Sequence, residues 1–222
     1  MNRNRTKFDR FRTGFVRPGV MMSLAVVMAG CNPLGITRSE DWLLSSGRYD
    51  VITDIPVPRV RGPSGCGAQA LAGAMCQADP ELDAQAECDA LPWHDAGANV
   101  IEILLTARAK GFQAKVIKGS WEALVDLVEQ GRPPMVMFDR NLRIWSPFPW
   151  LKPPHVMHWG VVSGMSRDGK TLLCAAPNGR HYLIDRKVFM ECWEPADQCT
   201  VSISKKGASP GAAYAAEGSA PR

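Results

Sequence analysis

Residues 63–75 read Pro-Ser-Gly-Cys-Gly-Ala-Gln-Ala-Leu-Ala-Gly-Ala-Met, a tight turn that leads directly into a predicted helix. Apolar residues recur there at helical spacing, at Ala68, Leu71, Ala72 and Met75. Cys66 stands at the helix start, where unpaired N–H groups and the positive end of the helix dipole favour a thiolate. Because Gly65 and Gly67 flank the cysteine, a substrate carbonyl has room beside its sulfur, and we predict that Cys66 is a nucleophile.

The patterns that follow predict further helices and then a set of strands. Helices are predicted over 98–110, 121–130 and 186–192, from apolar spacing and capping residues. Strands are predicted over 112–116, 135–138, 158–165, 171–175, 180–184 and 200–204. Turn signals between the later strands indicate a β-meander. A helical half followed by an antiparallel sheet predicts one α+β domain, which we place at residues 49–204.

A thiol nucleophile needs a base, and the chain has four histidines, His94, His155, His158 and His181. His158 begins an apolar strand after a long loop, an arrangement that presents an imidazole at the rim of a cleft. His155 shares that loop, but it follows two prolines and has no defined element beneath it. The favoured base is therefore His158. A third group should orient its ring, and the neighbouring strand ends at Ala176-Pro177-Asn178.

The first 30 residues have the pattern of an export signal. They contain six basic residues and one acid, and their apolar run at 19–28 is too short to span a bilayer as a mature helix. The run ends in Met28-Ala29-Gly30-Cys31, which resembles the lipobox of bacterial lipoproteins and implies cleavage before a lipidated Cys31. We predict a signal peptide at 1–30, a membrane tether at 31–48 and a disordered tail at 205–222. An ordinary signal peptide and an uncleaved anchor are the alternatives.

Composition and charge exclude several classes of protein. Of 222 residues, 45% are hydrophobic and 22% charged, which excludes a disordered, collagen-like or coiled-coil chain. The formal charge of +4 comes from the N-terminal signal, and the rest of the chain is close to neutral. Nucleic-acid binding requires a basic surface, which a nearly neutral chain lacks, so we predict no nucleic-acid partner.

Disulfides form in oxidising compartments, so the predicted export of the protein favours disulfides among its seven cysteines. Polar loops separate two pairs of them, which predicts the disulfides Cys76–Cys88 and Cys192–Cys199. Cys66 and Cys174 are expected to be free, with Cys174 buried in an apolar run. No CxxC or HxxxH spacing indicates a zinc site, and neither a metal nor a cofactor is predicted.

The segments Ser-Gly-Cys-Gly-Ala-Gln-Ala-Leu-Ala at 64–72 and His-Trp-Gly-Val-Val-Ser-Gly at 158–164 together resemble the papain-like cysteine peptidases of the bacteriocin-leader-processing family. The match covers about residues 50–195 and is closest to short lipoprotein relatives of that family. The resemblance implies a papain-like fold, a peptide or protein substrate, Cys66 as nucleophile and His158 as base. With the lipobox, it implies a lipid-anchored enzyme of the bacterial cell envelope, at the outer membrane rather than the inner one.

The sequence departs from this family at two positions. The family has Asp where this chain has Ala176, so the orienting role passes to Asn178. The family has Gln as an oxyanion donor where this chain has Val60, which leaves the neighbouring Arg61 as the candidate donor. Because such a donor contributes about 10²–10³ in rate, its loss favours a second hypothesis, an inactive peptidase-like lipoprotein that binds a peptide or protein partner. An acyltransferase on the same fold is a third.

Overall fold

The structure is a computed structural model that describes residues 36–60, 62, 64–93, 97–142, 154–176 and 179–207. Its elements follow in the order β1 (Ile36–Ser39), α1 (Glu40–Ser46), β2 (Tyr49–Val51), α2 (Cys66–Ala78), α3 (Ala84–Asp89), α4 (Val100–Ala109), β3 (Phe112–Lys118), α5 (Trp121–Glu129), β4 (Met135–Asp139), β5 (Met157–Ser166), β6 (Thr171–Ala176), β7 (Arg180–Asp185), α6 (Arg186–Trp193) and β8 (Cys199–Lys205). The predicted α+β class is confirmed.

Eight strands in the described part of the chain form an antiparallel sheet in the order β1-β7-β6-β5-β4-β8-β3, with β2 pairing to β5. The longest strand, β5, lies between β4 and β6. Phe138 on β4 lies opposite His158, and Asp139 lies opposite Met157. Because side chains alternate along a strand, Phe138 and His158 share one face of the sheet, whereas Asp139, Met157 and Trp159 share the other.

Helices cover both of these faces. The ring of Phe138 lies 5.4 Å from that of His158 and 6.2 Å from that of Phe189, which belongs to α6. On the opposite face, a β-carbon added at Gly67 of α2 would lie 3.4 Å from Cδ1 of Trp159. Helix α6 therefore covers the His158 face near the start of β5, and α2 covers the Trp159 face.

Helix α2 runs alongside β5 in the same direction. Its first turn, at Gly67, meets Trp159 near the start of β5. At its other end, the carboxylate of Asp79 pairs with Nζ of Lys205 at 2.9 Å, and Lys205 ends β8, which is parallel to β5 because both are antiparallel to β4. Cys66 therefore lies at the end of the sheet where β5 begins and β4 ends.

Residues 52–60, between β2 and α2, form neither helix nor strand, and the prolines at 56 and 58 disfavour both. The N–H of Ile52 donates to the carbonyl of Ser163 on β5 at 2.7 Å. The side-chain amide of Gln69 on α2 donates to the carbonyl of Pro58 at 2.6 Å, which holds the segment along the helix. A β-carbon at Gly73 would lie 2.6 Å from the Pro56 carbonyl oxygen, so this close approach requires a glycine.

Residues 36–46 form β1 and α1, whereas the sequence pattern predicts a membrane tether over 31–48. β1 pairs with β7 along its whole length, and the side chain of Leu43 in α1 is fully buried. The domain therefore includes residues 36–48 as well as the predicted 49–204. Residues 1–35, which include the predicted signal peptide and Cys31, lie outside the described residues. Residues 208–222, in the predicted tail, also lie outside them. Among the described residues, no helix has the length and apolar character needed to span a bilayer.

Neither of the two predicted disulfides is seen among the described residues of the structure. The flanking polar loops suggested disulfide-closed loops, but Cys76 and Cys88 lie inside α2 and α3, and Cys192 lies inside α6. All three are buried in the core, where cysteine packs as a small apolar residue. Loop composition and an assumed oxidising compartment are therefore insufficient grounds for these disulfides.

Candidate active site

Cys66 is the first residue of α2 and is half-buried. Its Sγ lies 4.0 Å from the carbonyl oxygen of Ser64 in the preceding turn. The N-cap residue, Gly65, has no side chain to bond the N–H groups of the first turn, although its carbonyl accepts from Gln69 N–H at 3.0 Å. The free N–H groups at this helix start can stabilise a thiolate, or the oxyanion that forms when a carbonyl is attacked.

Tight packing fixes the helix start against β5. The indole N–H of the buried Trp159 donates to the carbonyl of Ala98 at 2.9 Å. A β-carbon at Gly67 would lie 2.7 Å from Cβ of Ala98 and would not fit. The residue after the thiol must therefore be small for α2, β5 and the segment before α4 to meet here.

His158 lies on the face of the sheet opposite the one that α2 covers. Its ring makes an edge-on contact with Phe138 on the α6 face, and no hydrogen bond joins it to Cys66 among the residues that the structure describes. Burial, together with the guanidinium charge of Arg140, lowers the pKa of His158 to about 4. A ring in this state is neutral at pH 7 and a weak base. The role of His158 as base stays a prediction.

Asp139 and His155 form a pair that the sequence patterns do not assign to the site. Nδ1 of His155 contacts Oδ2 of Asp139 directly, in a short hydrogen bond. Oδ1 of Asp139 accepts from the N–H groups of Asn141 at 2.9 Å and Val156 at 3.4 Å. The carboxylate is fully buried, whereas 63% of the His155 side chain is exposed. The hydrogen bonding between β4 and β5 continues past the ends of both strands, since Arg140 N–H donates to the Val156 carbonyl at 3.0 Å.

The charge state of Asp139 follows from these contacts. Burial alone would raise the pKa of its carboxyl group, but the bonds from His155 and from the backbone of Asn141 and Val156 outweigh burial and hold the pKa below its usual value. Asp139 is therefore ionised at neutral pH. Asp139 follows the predicted strand 135–138, and His155 precedes the strand that the sequence predicted from 158. Only their shared position at one end of adjacent strands could have linked them.

A second buried network contains another histidine. The hydroxyl of Ser163 lies 2.6 Å from Nδ1 of His181, and Oε2 of Glu40 lies 3.3 Å from Nε2 of the same ring. Ser163 is 0% and His181 2% exposed, so no substrate reaches this serine. The network holds α1 to the sheet. Burial lowers the pKa of His181, and the Glu40 carboxylate offsets this only in part.

The remaining predicted site residues fall outside the described part of the chain, namely Arg61, Asn178 and Cys31. Val60 is described and packs against Gly65, where an added β-carbon would lie 2.7 Å from Cβ of Val60. Its side chain has no hydrogen-bond donor, so it cannot replace the glutamine of the family. Within the described residues, no group of three or more His, Cys, Asp or Glu side chains is arranged to hold a metal ion.

No protein-family model and no curated protein matches the chain. A solved structure described as a C39-like peptidase from Bacillus anthracis is similar, with a TM-score of 0.53 at 13% identity over 70% of this chain and 97% of that one. The peptidase domain of Streptococcus ComA, a bi-functional ABC transporter of a quorum-sensing pathway, has a TM-score of 0.48 at 18% identity over 68% and 97% of the chains. A double glycine motif protease from an AMS/PCAT transporter, solved in complex with the leader peptide, has a TM-score of 0.48 at 17% identity. The match covers 69% of this chain and 93% of that one.

These similarities concern the fold. At 13% identity, the likeness to the Bacillus anthracis structure shows that this chain has the α+β fold of papain-like C39 peptidases. The fold class implied by the family resemblance of the sequence is therefore confirmed, whereas activity depends on the site residues themselves.

Proposed function

We propose that this chain is a cysteine peptidase of the bacterial cell envelope, with Cys66 as its nucleophile. The observation that carries the proposal is the half-buried Cys66 thiol at the first residue of α2, on a papain-like fold, where β5 begins. Helix N–H groups beside the sulfur favour the thiolate, which is the reactive form of cysteine.

The proposed reaction has two steps. The Cys66 thiolate attacks the peptide carbonyl carbon, an S–C bond forms, and the charge on oxygen is stabilised by N–H groups of the helix start. The C–N bond then breaks, and the amine leaves with a proton from the imidazolium of the base. In the second step a water molecule gives a proton to the imidazole and attacks the thioester, which releases the acid and restores the thiol.

The family resemblance assigns the remaining roles. It gives the base to His158, the orienting group to Asn178 and the second oxyanion donor to Arg61. For His158 to serve Cys66, its ring would have to leave the contact with Phe138. Lipid on Cys31 would anchor the enzyme, and we expect Cys31→Ser to move the protein from the detergent phase to the aqueous phase. Equal partitioning of the two proteins would contradict the anchor.

Alkylation of Cys66 tests the nucleophile. At pH 5.5 an ordinary thiol is almost fully protonated and reacts slowly with iodoacetamide. We expect folded protein to label at Cys66 at least about tenfold faster than the same residue in urea-unfolded chain, because thiolate rather than thiol reacts. Cys174 is an internal control within the same molecule, since burial raises its pKa to about 12. A Cys66 rate equal to that of the unfolded chain would refute the proposal.

The second candidate function is a peptidase-like protein that binds a peptide or protein partner without cleaving it. The observation that favours it is the packing of the half-buried His158 ring against Phe138, together with the apolar Val60 in place of a donor. A peptide-library digest separates the two functions. New peptide termini that disappear in Cys66→Ser indicate the peptidase, whereas retained peptide binding without cleavage indicates the binding protein.

A further inference from the structure

We propose that His155, held by Asp139, is the base that exchanges a proton with Cys66, an inference that rests on the proposed peptidase function. The pair lies outside every role that the family resemblance assigns. Its support comes from its position on the sheet, the ionisation of Asp139 and the exposure of the His155 ring.

The pair and the thiol lie on the same face and at the same end of the sheet. Asp139 and Trp159 point to the face that α2 covers, and His155 must do so as well, because it bonds Asp139. The first turn of α2 contacts Trp159, and the helix axis runs parallel to β5. The N-terminal end of α2, where Cys66 lies, is therefore directed toward the ends of β4 and β5 that carry the pair.

The contact with Asp139 also sets the state of the imidazole. An ionised carboxylate only accepts hydrogen bonds, so Nδ1 of His155 must carry the hydrogen that Oδ2 of Asp139 receives. In the neutral ring, Nε2 then holds a lone pair and is free to take a proton. Because 63% of the side chain is exposed, the ring is open to solvent and to a substrate.

The proton steps balance around this ring. Nε2 of His155 takes the proton of the Cys66 thiol and later gives it to the leaving amine when the C–N bond breaks. In hydrolysis of the thioester, Nε2 takes a proton from the attacking water and returns it to the sulfur. Asp139 acts through His155 as a positioning residue, because its carboxylate accepts from Nδ1 and fixes the orientation of the ring.

His158 is less well placed than His155 to act as the base of Cys66. Its ring points to the α6 face, away from α2, and contacts Phe138. The guanidinium charge of Arg140 acts on it and disfavours an imidazolium. No carboxylate of the described residues bonds its ring. A proton held on His158 would therefore lack the partner that Asp139 provides for His155.

Labelling of Cys66 by iodoacetamide at pH 5.5 and pH 8.5 distinguishes the two histidines. His155→Gln keeps a side-chain N–H for Asp139 and removes the base, so its folding should be preserved and is checked by thermal unfolding. We expect this variant to lose at least about tenfold in rate at pH 5.5 and much less at pH 8.5. Lys187→Gln, an exposed change on α6, is the matched surface control.

The variant Asp139→Asn tests the positioning role. An amide at this position can donate to Nδ1 and would then favour the tautomer with hydrogen on Nε2, which cannot act as a base. We expect the pH 5.5 labelling rate to fall as in His155→Gln, and kcat for any cleaved peptide to fall with little change in KM. Equal pH profiles for this variant and the wild type would overturn the role of Asp139.

Three outcomes decide the inference. Loss of acid-side labelling in His155→Gln but not in His158→Gln supports it. The reverse result overturns it while the peptidase proposal survives with His158 as base. Wild-type Cys66 that labels at pH 5.5 no faster than the unfolded chain overturns both the inference and the proposed function.

Discussion

The indole N–H of Trp159 donates to the backbone carbonyl of Ala98 at 2.9 Å, and this bond joins β5 to the segment that precedes α4. The indole also lies against the first turn of α2, at Gly67. The residue after His158 therefore holds the helix that carries Cys66. The Cys66 thiol is therefore held in place by a tryptophan and a glycine that the sequence marks only as neighbours of the two candidate catalytic residues.

Trp159→Phe should reduce the free energy of unfolding by about 1–3 kcal/mol, because it removes a buried donor and part of a large buried ring. The measurement is urea unfolding at pH 7. Trp42→Phe is the control, since Trp42 is 43% exposed and packs beside Tyr49. Equal losses in the two variants would show that the bond to Ala98 contributes nothing.

Gly67→Ala should reduce the free energy of unfolding by about 1–3 kcal/mol, because its new β-carbon would lie 2.7 Å from Cβ of Ala98. Cys66 labelling should slow as the helix start shifts. Ala98→Gly removes the atom that is too close, so the double variant should recover at least about 1 kcal/mol relative to the sum of the single variants. If the effects of the two substitutions are strictly additive, the contact between the new β-carbon and Cβ of Ala98 is not the source of the strain.

Local patterns predict the elements that depend on local physics. Helix α2 begins at Cys66 and ends at Ala78, because a glycine turn precedes it and Asp79-Pro80 ends it. The order of the central strands likewise follows from turn residues and apolar runs. These features sufficed for the α+β class and for placing a cysteine at a helix start.

Local sequence patterns do not predict which distant segments pair with each other. β1 has four residues and pairs with β7, more than 140 residues later, so nothing near Ile36 indicates a strand. The Asp139–His155 contact similarly depends on the ladder continuing past both strands through Arg140 and Val156. His155 follows two prolines and its sequence context indicates no supporting element, yet the end of β4 supplies that support.

The adjacent leucines of α1 test whether residues 36–48 belong to the domain. Leu43 is fully buried, and Leu44 is 49% exposed. We expect Leu43→Ala to reduce the free energy of unfolding by about 2–4 kcal/mol, and Leu44→Ala by about 0.5 kcal/mol or less, as measured by urea unfolding. Equal small effects would mean that this segment is a tether in solution.

Acid should destabilise the fold through His158. A histidine in the unfolded chain titrates near 6.5, whereas burial and Arg140 lower the pKa of His158 to about 4 in the folded protein. Between these values the unfolded state binds a proton that the folded state does not. Stability therefore falls as pH decreases from about 6.5 to about 4, by up to about 3 kcal/mol from this residue.

His158→Phe isolates this contribution, because an apolar ring can keep the contact with Phe138 and does not titrate. We expect the variant to lose less stability than the wild type between pH 7 and pH 4.5, as measured by urea unfolding at each pH. Losses from other groups that titrate in this range, such as His181, cancel in the comparison. If the two proteins lose the same amount, His158 is exposed to water in solution, and the buried ring placement that argues against it as the base of Cys66 is wrong.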